Sequence, residues 1–376
     1  MKEVVIVSAA RTPFGKMGGA LKPLKATDLG GMAIKDALRR AGIEGSQVDE
    51  VIYGMVVPAG QGQIPGRQAS VKGGIPHDVP VVTINKVCGS ALKAVTLGAQ
   101  IIKAGDADII VAGGMESMSN IPYVLENMRW GARMNDVKAK DAMVLDGLWC
   151  PENDVHMAVI GGQVAAEYNV TREMQDAWAY RSQKLWAEGE GQEKFDDERF
   201  AVEVPGPKGK VTVVEKDEAP RPSTTMEGLA KLPPLFVKDG TVTAGNAPGT
   251  NDGASAIVLM SREKAAELGA PILASIKGYA QASRESRYIA TVPGLAIQNL
   301  MEKNHLTVKD FDLIEINEAF AAVPLVSCLG ILGMSEQEMD AKVNVNGGAV
   351  AVGHPIGATG ARILMTLIYE LKRSGK

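Results

Sequence analysis

Cysteine, histidine and aromatic residues are all scarce in this 376-residue chain, which has three Cys, four His and only 5% Phe, Trp and Tyr. The cysteines Cys88, Cys150 and Cys328 are odd in number, far apart and outside any CxxC spacing. That excludes a disulfide framework, argues against a zinc site and fits a reducing cytosol, so a cytoplasmic protein with no metal is expected. No apolar run reaches the length of a membrane span. The apolar run at residues 4–7 follows the acid Glu3 and is too short for a signal segment. Excess charge is lacking as well: 40 Lys and Arg stand against 44 Asp and Glu, mixed along the chain, for a net −4. Neither a nucleic-acid tract nor a polybasic membrane anchor is supported. No G-x-G-x-x-G follows the first apolar run, and the glycine-rich stretch 353–360 lacks a Gly-Lys-Ser/Thr ending, which sets NAD and ATP aside.

What is present is alternation. The length suffices for two or three domain-sized units. Residues 4–9 form a β-branched run typical of a strand buried on both faces, and the sheet it begins is expected to be parallel. Thr27 or Asp28 caps an amphipathic helix that runs to Arg40 and stops at Gly42. A strand at 48–57, a helix at 61–72, a strand at 79–84, a helix at 91–103 and a strand at 107–112 follow, the pattern of a layered α/β domain. Between 120 and 245 the chain turns rich in Trp, Met and charge, with a helix over 172–188, and reads as an inserted excursion. Dense turn residues at 245–253 return it to a strand at 254–260.

The second half repeats the first. Ala296-Ile297-Gln298-Asn299-Leu300 matches Ala33-Ile34-Lys35-Asp36-Ala37, and Asp312 matches Asp49; 296 − 33 and 312 − 49 both equal 263. A duplicated fold explains this economically. The strand-to-helix turn Asn85-Lys86-Val87-Cys88-Gly89-Ser90 then corresponds to the stretch around Gly353-His354-Pro355, and the helix ending at Gly105 to the one ending at Gly375. Five glycines between Gly347 and Gly360 indicate a backbone that bends sharply and is approached closely. Taken alone, His354 reads as a surface or satisfied core histidine and Cys88 as a small buried hydrophobe. If the halves pack about a pseudo-twofold axis, the two turns meet, and a helix N-terminus and an imidazole would favour the Cys88 thiolate as a nucleophile. Asn317 and Glu318 sit at a strand's C-terminal end, where open α/β sheets bind ligands, although a helix cap and a solvated carboxylate are equally simple roles.

With these residues in view, the whole chain resembles the thiolase family. The likeness rests on Ser8-Ala9-Ala10-Arg11-Thr12-Pro13-Phe14-Gly15, on Asn85 to Ser90, on Asn317-Glu318-Ala319-Phe320-Ala321, and on Asn346-Gly347-Gly348 through Arg362. It implies an α/β, five-layer αβαβα fold of two duplicated β/α halves: residues 1–119 with 246–268, an inserted loop domain at 120–245 that binds CoA and supports oligomerisation, and 269–376. It also implies an acyl-CoA C-acyltransferase of fatty-acid metabolism, which condenses acetyl-CoA to acetoacetyl-CoA or thiolyses 3-ketoacyl-CoA through an acyl-Cys88 intermediate. CoA is substrate and product, no cofactor is needed, and a homodimer or homotetramer is expected. His354 matches the activating base and Asn317 the holder of a catalytic water. His156 and Met157 match positions beside the acyl group and pantetheine, Arg221 the nucleotide end, and Leu232, Phe236, Ala244, Ala319 and Phe320 the slot.

The chain also departs from the resemblance. Pro248 stands where many relatives have serine, removing a donor from the CoA loop. Tyr288-Ile289-Ala290-Thr291-Val292-Pro293 replaces a Met-Gly turn bounding the acyl pocket. By the repeat, Gly375 corresponds to Gly105, after which the first half continues into a buried strand; in the family that continuation bears a second cysteine. With no match for it here, the last strands are expected to be missing, and acylation to outpace condensation or thiolysis. A CoA-binding protein of this fold with incomplete catalysis is the alternative. A decarboxylating ketosynthase would need two site histidines.

Overall fold

The computed structural model describes residues 2–376. Its first half is built on one mixed sheet of Val4–Arg11 (β1), Glu50–Gly54 (β2), Val81–Ile84 (β3), Ile109–Ser117 (β4) and Asn251–Ser261 (β5), joined by Ala274–Ser275 (β6) from the second half, in the order β6-β1-β5-β4-β2-β3, with the two-residue Gly15–Lys16 paired to the start of β5. Strands β4, β2 and β3 are mutually parallel, whereas β5 runs antiparallel to both β1 and β4. The expected all-parallel sheet is therefore mixed. The cause is the excursion: Asp252 lies opposite Ser117, so β5 begins where β4 ends. Neighbouring strands joined at one end of a sheet must be antiparallel.

Strands β1, β4 and β5 are buried along their whole length, as their apolar and small residues require. One face packs Val5 and Val7 against Leu29, Ala33 and Ala37 of Ala26–Ala41 (α1), with Ala69 of Pro65–Lys72 (α2) beside them. Helix α1 stops at Gly42, whose φ of 71° is the left-handed conformation that glycine tolerates. Ser90–Ala104 (α3) follows β3 on the other face. The excursion contributes Met157–Glu167 (α4), Arg172–Gly191 (α5) and a hairpin of Val202–Pro205 with Val211–Val214.

The second half repeats the first at the expected spacing. Val292–Asn304 (α6) ends at Asn304 as α1 ends at Ala41, His305 takes the left-handed cap of Gly42, and the single turn Val308–Asp310 repeats Gly45–Gln47. Each pair differs by 263, since 304 − 41, 305 − 42 and 308 − 45 agree. The strand equivalents are less developed among the described residues, where Ile314 meets Val343 in a parallel bridge. Thr359–Ser374 (α7) then packs Ala361, Met365 and Ile368 with Ala94 and Val95 of α3 against Val4, Ile6, Ile110 and Ile257. Helices α3 and α7 thus form one layer, and their N-terminal turns lie side by side.

A buried ion-pair network ties the excursion to the sheet. Arg11, fully buried at the end of β1, donates to Glu198 Oε1 at 2.7 Å and to both oxygens of Asp217 at 2.7 and 3.0 Å, while Arg199 reaches Asp217 at 3.0 Å. Removing one member strands the others without solvent, so Arg11→Met is expected to cost about 3–5 kcal/mol in urea unfolding. An unchanged midpoint would contradict the network's structural role.

Candidate active site

The turn bearing Cys88 is fixed by short-range polar contacts. Asn85 Oδ1 accepts from Val87 N at 2.9 Å, and Asn85 Nδ2 donates to the Val56 carbonyl at 3.0 Å. Ser90 Oγ accepts from Lys86 N at 2.8 Å and donates to the Val87 carbonyl at 2.7 Å. Together they hold Val87 at φ 47°, a conformation that β-branched residues rarely adopt and that marks a strained turn. Cys88 is partly buried, two residues ahead of the first residue of α3.

The turn bearing His354 is packed into the first half. His354 N donates to Asn251 Oδ1 at 2.9 Å. Gly353 precedes it at φ 101°, and a Cβ there would lie 2.4 Å from Asn251 Cγ, so only glycine fits. Gly114 lets β4 meet the same turn, because a Cβ on it would come within 2.0 Å of the Gly357 carbonyl.

These turns bring His354 Nε2 to 3.1 Å from Cys88 Sγ. On the far side of the ring Nδ1 lies 2.7 Å from Thr359 Oγ1, whose proton goes to the Pro355 carbonyl at 2.9 Å. The hydroxyl has one proton, already committed, so it must accept from Nδ1–H. That fixes the tautomer with an unprotonated Nε2 facing the sulfur, and the thiol donates to it. Asn317 Nδ2 stands 3.3 Å from the same Nε2, and its buried Oδ1 has no protein partner.

Electrostatics corrects the expectation of a resting thiolate. Burial pushes the Cys88 thiol up to about 12, with the Glu116 carboxylate adding to the rise. Burial drives the His354 imidazole down to about 3, with the Arg362 guanidinium adding to the fall. Desolvation outweighs the helix terminus, and the resting pair is neutral thiol and neutral imidazole. A histidine that stays neutral when folded but protonates when unfolded makes the unfolded state bind more protons between pH 6.5 and about 3. Stability should therefore fall as pH is lowered across that window, and His354→Gln should flatten the fall by up to about 1.4 kcal/mol per pH unit. Urea titrations at several pH values test this; identical slopes in the two proteins would contradict it.

Glu318 is fully buried, which settles against a solvated carboxylate. It accepts from Trp178 Nε1 at 2.9 Å and Ser182 Oγ at 2.8 Å of α5, Asn344 Nδ2 at 3.2 Å and Val350 N at 2.9 Å. The residue next to Asn317 is thereby anchored by four donors. Asn85, Asn251 and Thr359 also support the pair, and their sequence signal is weak: each looks like an ordinary turn or cap residue.

Some of the residues expected along a CoA slot lie on or beside one loop, and the others lie in two apolar clusters. The Pro234–Thr243 bridge and a 2.8 Å bond from Leu235 N to the Val242 carbonyl close a loop that carries Phe236 and is flanked by Leu232 and Ala244. At one end Phe236 stacks on His156 with ring centroids 4.0 Å apart. His156 caps α4 by accepting from Ala158 N at 3.1 Å, and burial lowers its basicity. At the other end Arg221 Nη2 donates to the Ala244 carbonyl at 3.3 Å. Met157, Ala319 and Phe320 share one apolar cluster, and Leu232 packs against Leu229 and Val350 in another. Pro248 is half-buried on the return loop, with no hydrogen bond to these residues among the described ones. Cys150 and Cys328 lie in the cluster of Met157 and Phe320, whereas Cys88 packs with Val56, Val57 and Ile356. No group of three or more His, Cys, Asp or Glu could hold a metal among the described residues, and no described helix is long and apolar enough to cross a membrane.

Comparison with known proteins agrees along the entire chain. The family model of the thiolase N-terminal domain matches residues 4–263, and that of the thiolase C-terminal domain matches 270–376. An acetyl-CoA acetyltransferase of Cupriavidus necator is 50% identical over 99% of this chain and 94% of its own. A probable acetyl-CoA acetyltransferase of Escherichia coli K12 is 44% identical over 100% and 94%. Among solved structures, the acetyl-CoA acetyltransferase of Bacillus anthracis superposes with a TM-score of 0.95 at 40% identity, and human mitochondrial 3-ketoacyl-CoA thiolase with 0.93 at 37%, each covering 100% of this chain and 93% of the other. Two duplicated halves, a cysteine turn and a histidine turn meeting between them, and family matches that cover nearly every residue lead to one conclusion: the chain belongs to the thiolase family.

Proposed function

We propose that Cys88, His354 and Asn317 carry the acyl transfer of this thiolase, with acetyl-CoA and acetoacetyl-CoA, or another 3-ketoacyl-CoA, as substrates. The observation that carries this is the 3.1 Å approach of Cys88 Sγ to a His354 nitrogen whose tautomer makes it an acceptor. As Sγ forms a bond to the thioester carbonyl carbon, the thiol proton moves to Nε2. The C–S bond to CoA then breaks, and the same proton passes to the departing thiolate. The products are acyl-Cys88 and free CoA. In the second half-reaction an acceptor, a thiol or the α-carbon of a second thioester, bonds to the acyl carbon as the bond to Sγ breaks, and the proton the acceptor loses ends on Cys88. Asn317 Nδ2 lies beside Nε2, where it can donate to an oxygen that gains charge during these steps. The loop of Phe236 and its flanking Leu232 and Ala244, with His156, Met157, Arg221, Pro248, Ala319 and Phe320, supplies the CoA slot in this proposal.

A covalent intermediate allows exchange with only one substrate pair. Isotopically labelled CoA should enter the acetyl-CoA pool with no second acyl acceptor present. Absence of exchange at saturating CoA would count against the proposal. Self-association fits the open edge of β3, where Val82 is exposed, and the exposed apolar residues Tyr123, Trp130 and Met134 of the excursion. The homodimer or homotetramer predicts a light-scattering mass of two or four times 39.7 kDa.

A further inference from the structure

Glu116 is a fully buried carboxylate that the chemistry above does not use. It lies near the end of β4, and its three partners are all backbone N–H groups. Oε2 accepts from Val56 N at 2.9 Å and from Gly357 N at 3.0 Å, and Oε1 accepts from Val57 N at 3.2 Å. Gly357 belongs to the His354 turn, three residues after the base. Val56 leads the other way: its carbonyl accepts from Asn85 Nδ2, and Asn85 Oδ1 accepts from Val87 N, the strained residue beside Cys88. One oxygen atom therefore stands at the junction of two hydrogen-bonded paths, one ending at the nucleophile and one at the base.

We propose that Glu116 is a positioning residue for acyl transfer, whose buried carboxylate fixes the Sγ–Nε2 separation by holding the Cys88 turn and the His354 turn at once. A carboxylate suits this task because both oxygens only accept, so each can face N–H groups from opposite sides. Glutamine of the same shape cannot satisfy all three: even with its oxygen at the junction, its NH2 meets Val57 N, leaves that N–H unpaired and pushes the side chain off the junction. The close approach of Gly114 to the Gly357 carbonyl leaves no room for the His354 turn to shift and recover the lost bond. Burial raises the Glu116 carboxyl to about 7, against the pull of its three N–H donors, so the acceptor-only form this task requires is held above neutral pH, where acetylation is measured, and is lost as pH falls below it.

This rests on the assignment of Cys88 and His354 as nucleophile and base, and the test separates the two. The rate of Cys88 acetylation by acetyl-CoA is measured by quenched-flow mass spectrometry in the wild type, Glu116→Gln, His354→Ala and the double variant, with CoA affinity measured by calorimetry. Glu116→Gln should slow acetylation by about 100-fold, the cost of roughly an ångström of misplacement, and leave CoA affinity unchanged. In the His354→Ala background the same change should have almost no further effect, because the alignment it protects is already lost. Multiplying effects in the double variant, or wild-type acetylation in Glu116→Gln, would overturn the role of Glu116 while leaving the pair intact. A wild type never acetylated at Cys88 would remove both. If Glu116→Gln does not fold, Asn85→Asp decides: it keeps the acceptor for Val87 N, loses the donor to Val56, and should slow acetylation without changing CoA affinity; a wild-type rate would overturn the proposal.

Discussion

Cys88→Ala is expected to lower label exchange between CoA and acetyl-CoA by roughly four orders of magnitude or more, to the level of the uncatalysed reaction. No other sulfur can substitute. Cys150 and Cys328 pack in a different apolar cluster, and burial raises the Cys328 thiol to about 12 with no imidazole beside it. Cys88→Ser should recover almost none of the loss, because a hydroxyl is far less acidic than a thiol and the neutral imidazole that faces it is a weak base. Binding should survive both changes, since none of the residues around the Pro234–Thr243 loop touches the sulfur through a described hydrogen bond. Exchange thus falls while CoA affinity holds. Persistent exchange in Cys88→Ala would show that the acyl group travels by another route.

His354→Ala should be the second largest loss, about 10³- to 10⁴-fold at neutral pH. The size follows from the thiol. With Cys88 pushed up to about 12, only about one molecule in 10⁵ would hold a free thiolate at pH 7, and the reaction depends on removing the proton as the bond forms. Without the base, hydroxide must do this work, so the rate of the variant should rise about tenfold per pH unit above neutrality. In the wild type Nε2 is already unprotonated at neutrality, since His354 sits at about 3, and its rate should be nearly flat above pH 7. Parallel pH profiles for the two proteins would contradict the base assignment.

Much of the molecule was legible in the chain itself. The spacing of 263 between Ala33 and Ala296 reappears in where α1 and α6 stop and in the paired left-handed caps at Gly42 and His305. It also put Cys88 and His354 on equivalent turns, and the pair is close because α3 and α7 share a layer. The direction of β5 was not legible, because the partner that reverses it lies across the whole excursion, with Asp252 opposite Ser117. Nor were two of the buried acids, Glu116 and Glu318. Glutamate is almost always exposed, and only packing reveals that Glu318 is ringed by Trp178, Ser182, Asn344 and Val350 and Glu116 by three N–H groups. Arg11 sat in a motif that carried the resemblance, yet its partners Glu198 and Asp217 come from distant parts of the excursion. The protonation state of the pair was misjudged for a related reason: local neighbours favour a thiolate, and the desolvation that overrides them depends on every element packed around the site.

The most direct measurement is the mass of the protein after brief exposure to acetyl-CoA, followed by peptide mapping. The assignment predicts one acetyl group per chain, on the peptide containing Cys88, absent from Cys88→Ala and slow to appear in His354→Ala. No adduct on the wild type, or an acetyl group on Cys150 or Cys328 in its place, would contradict it.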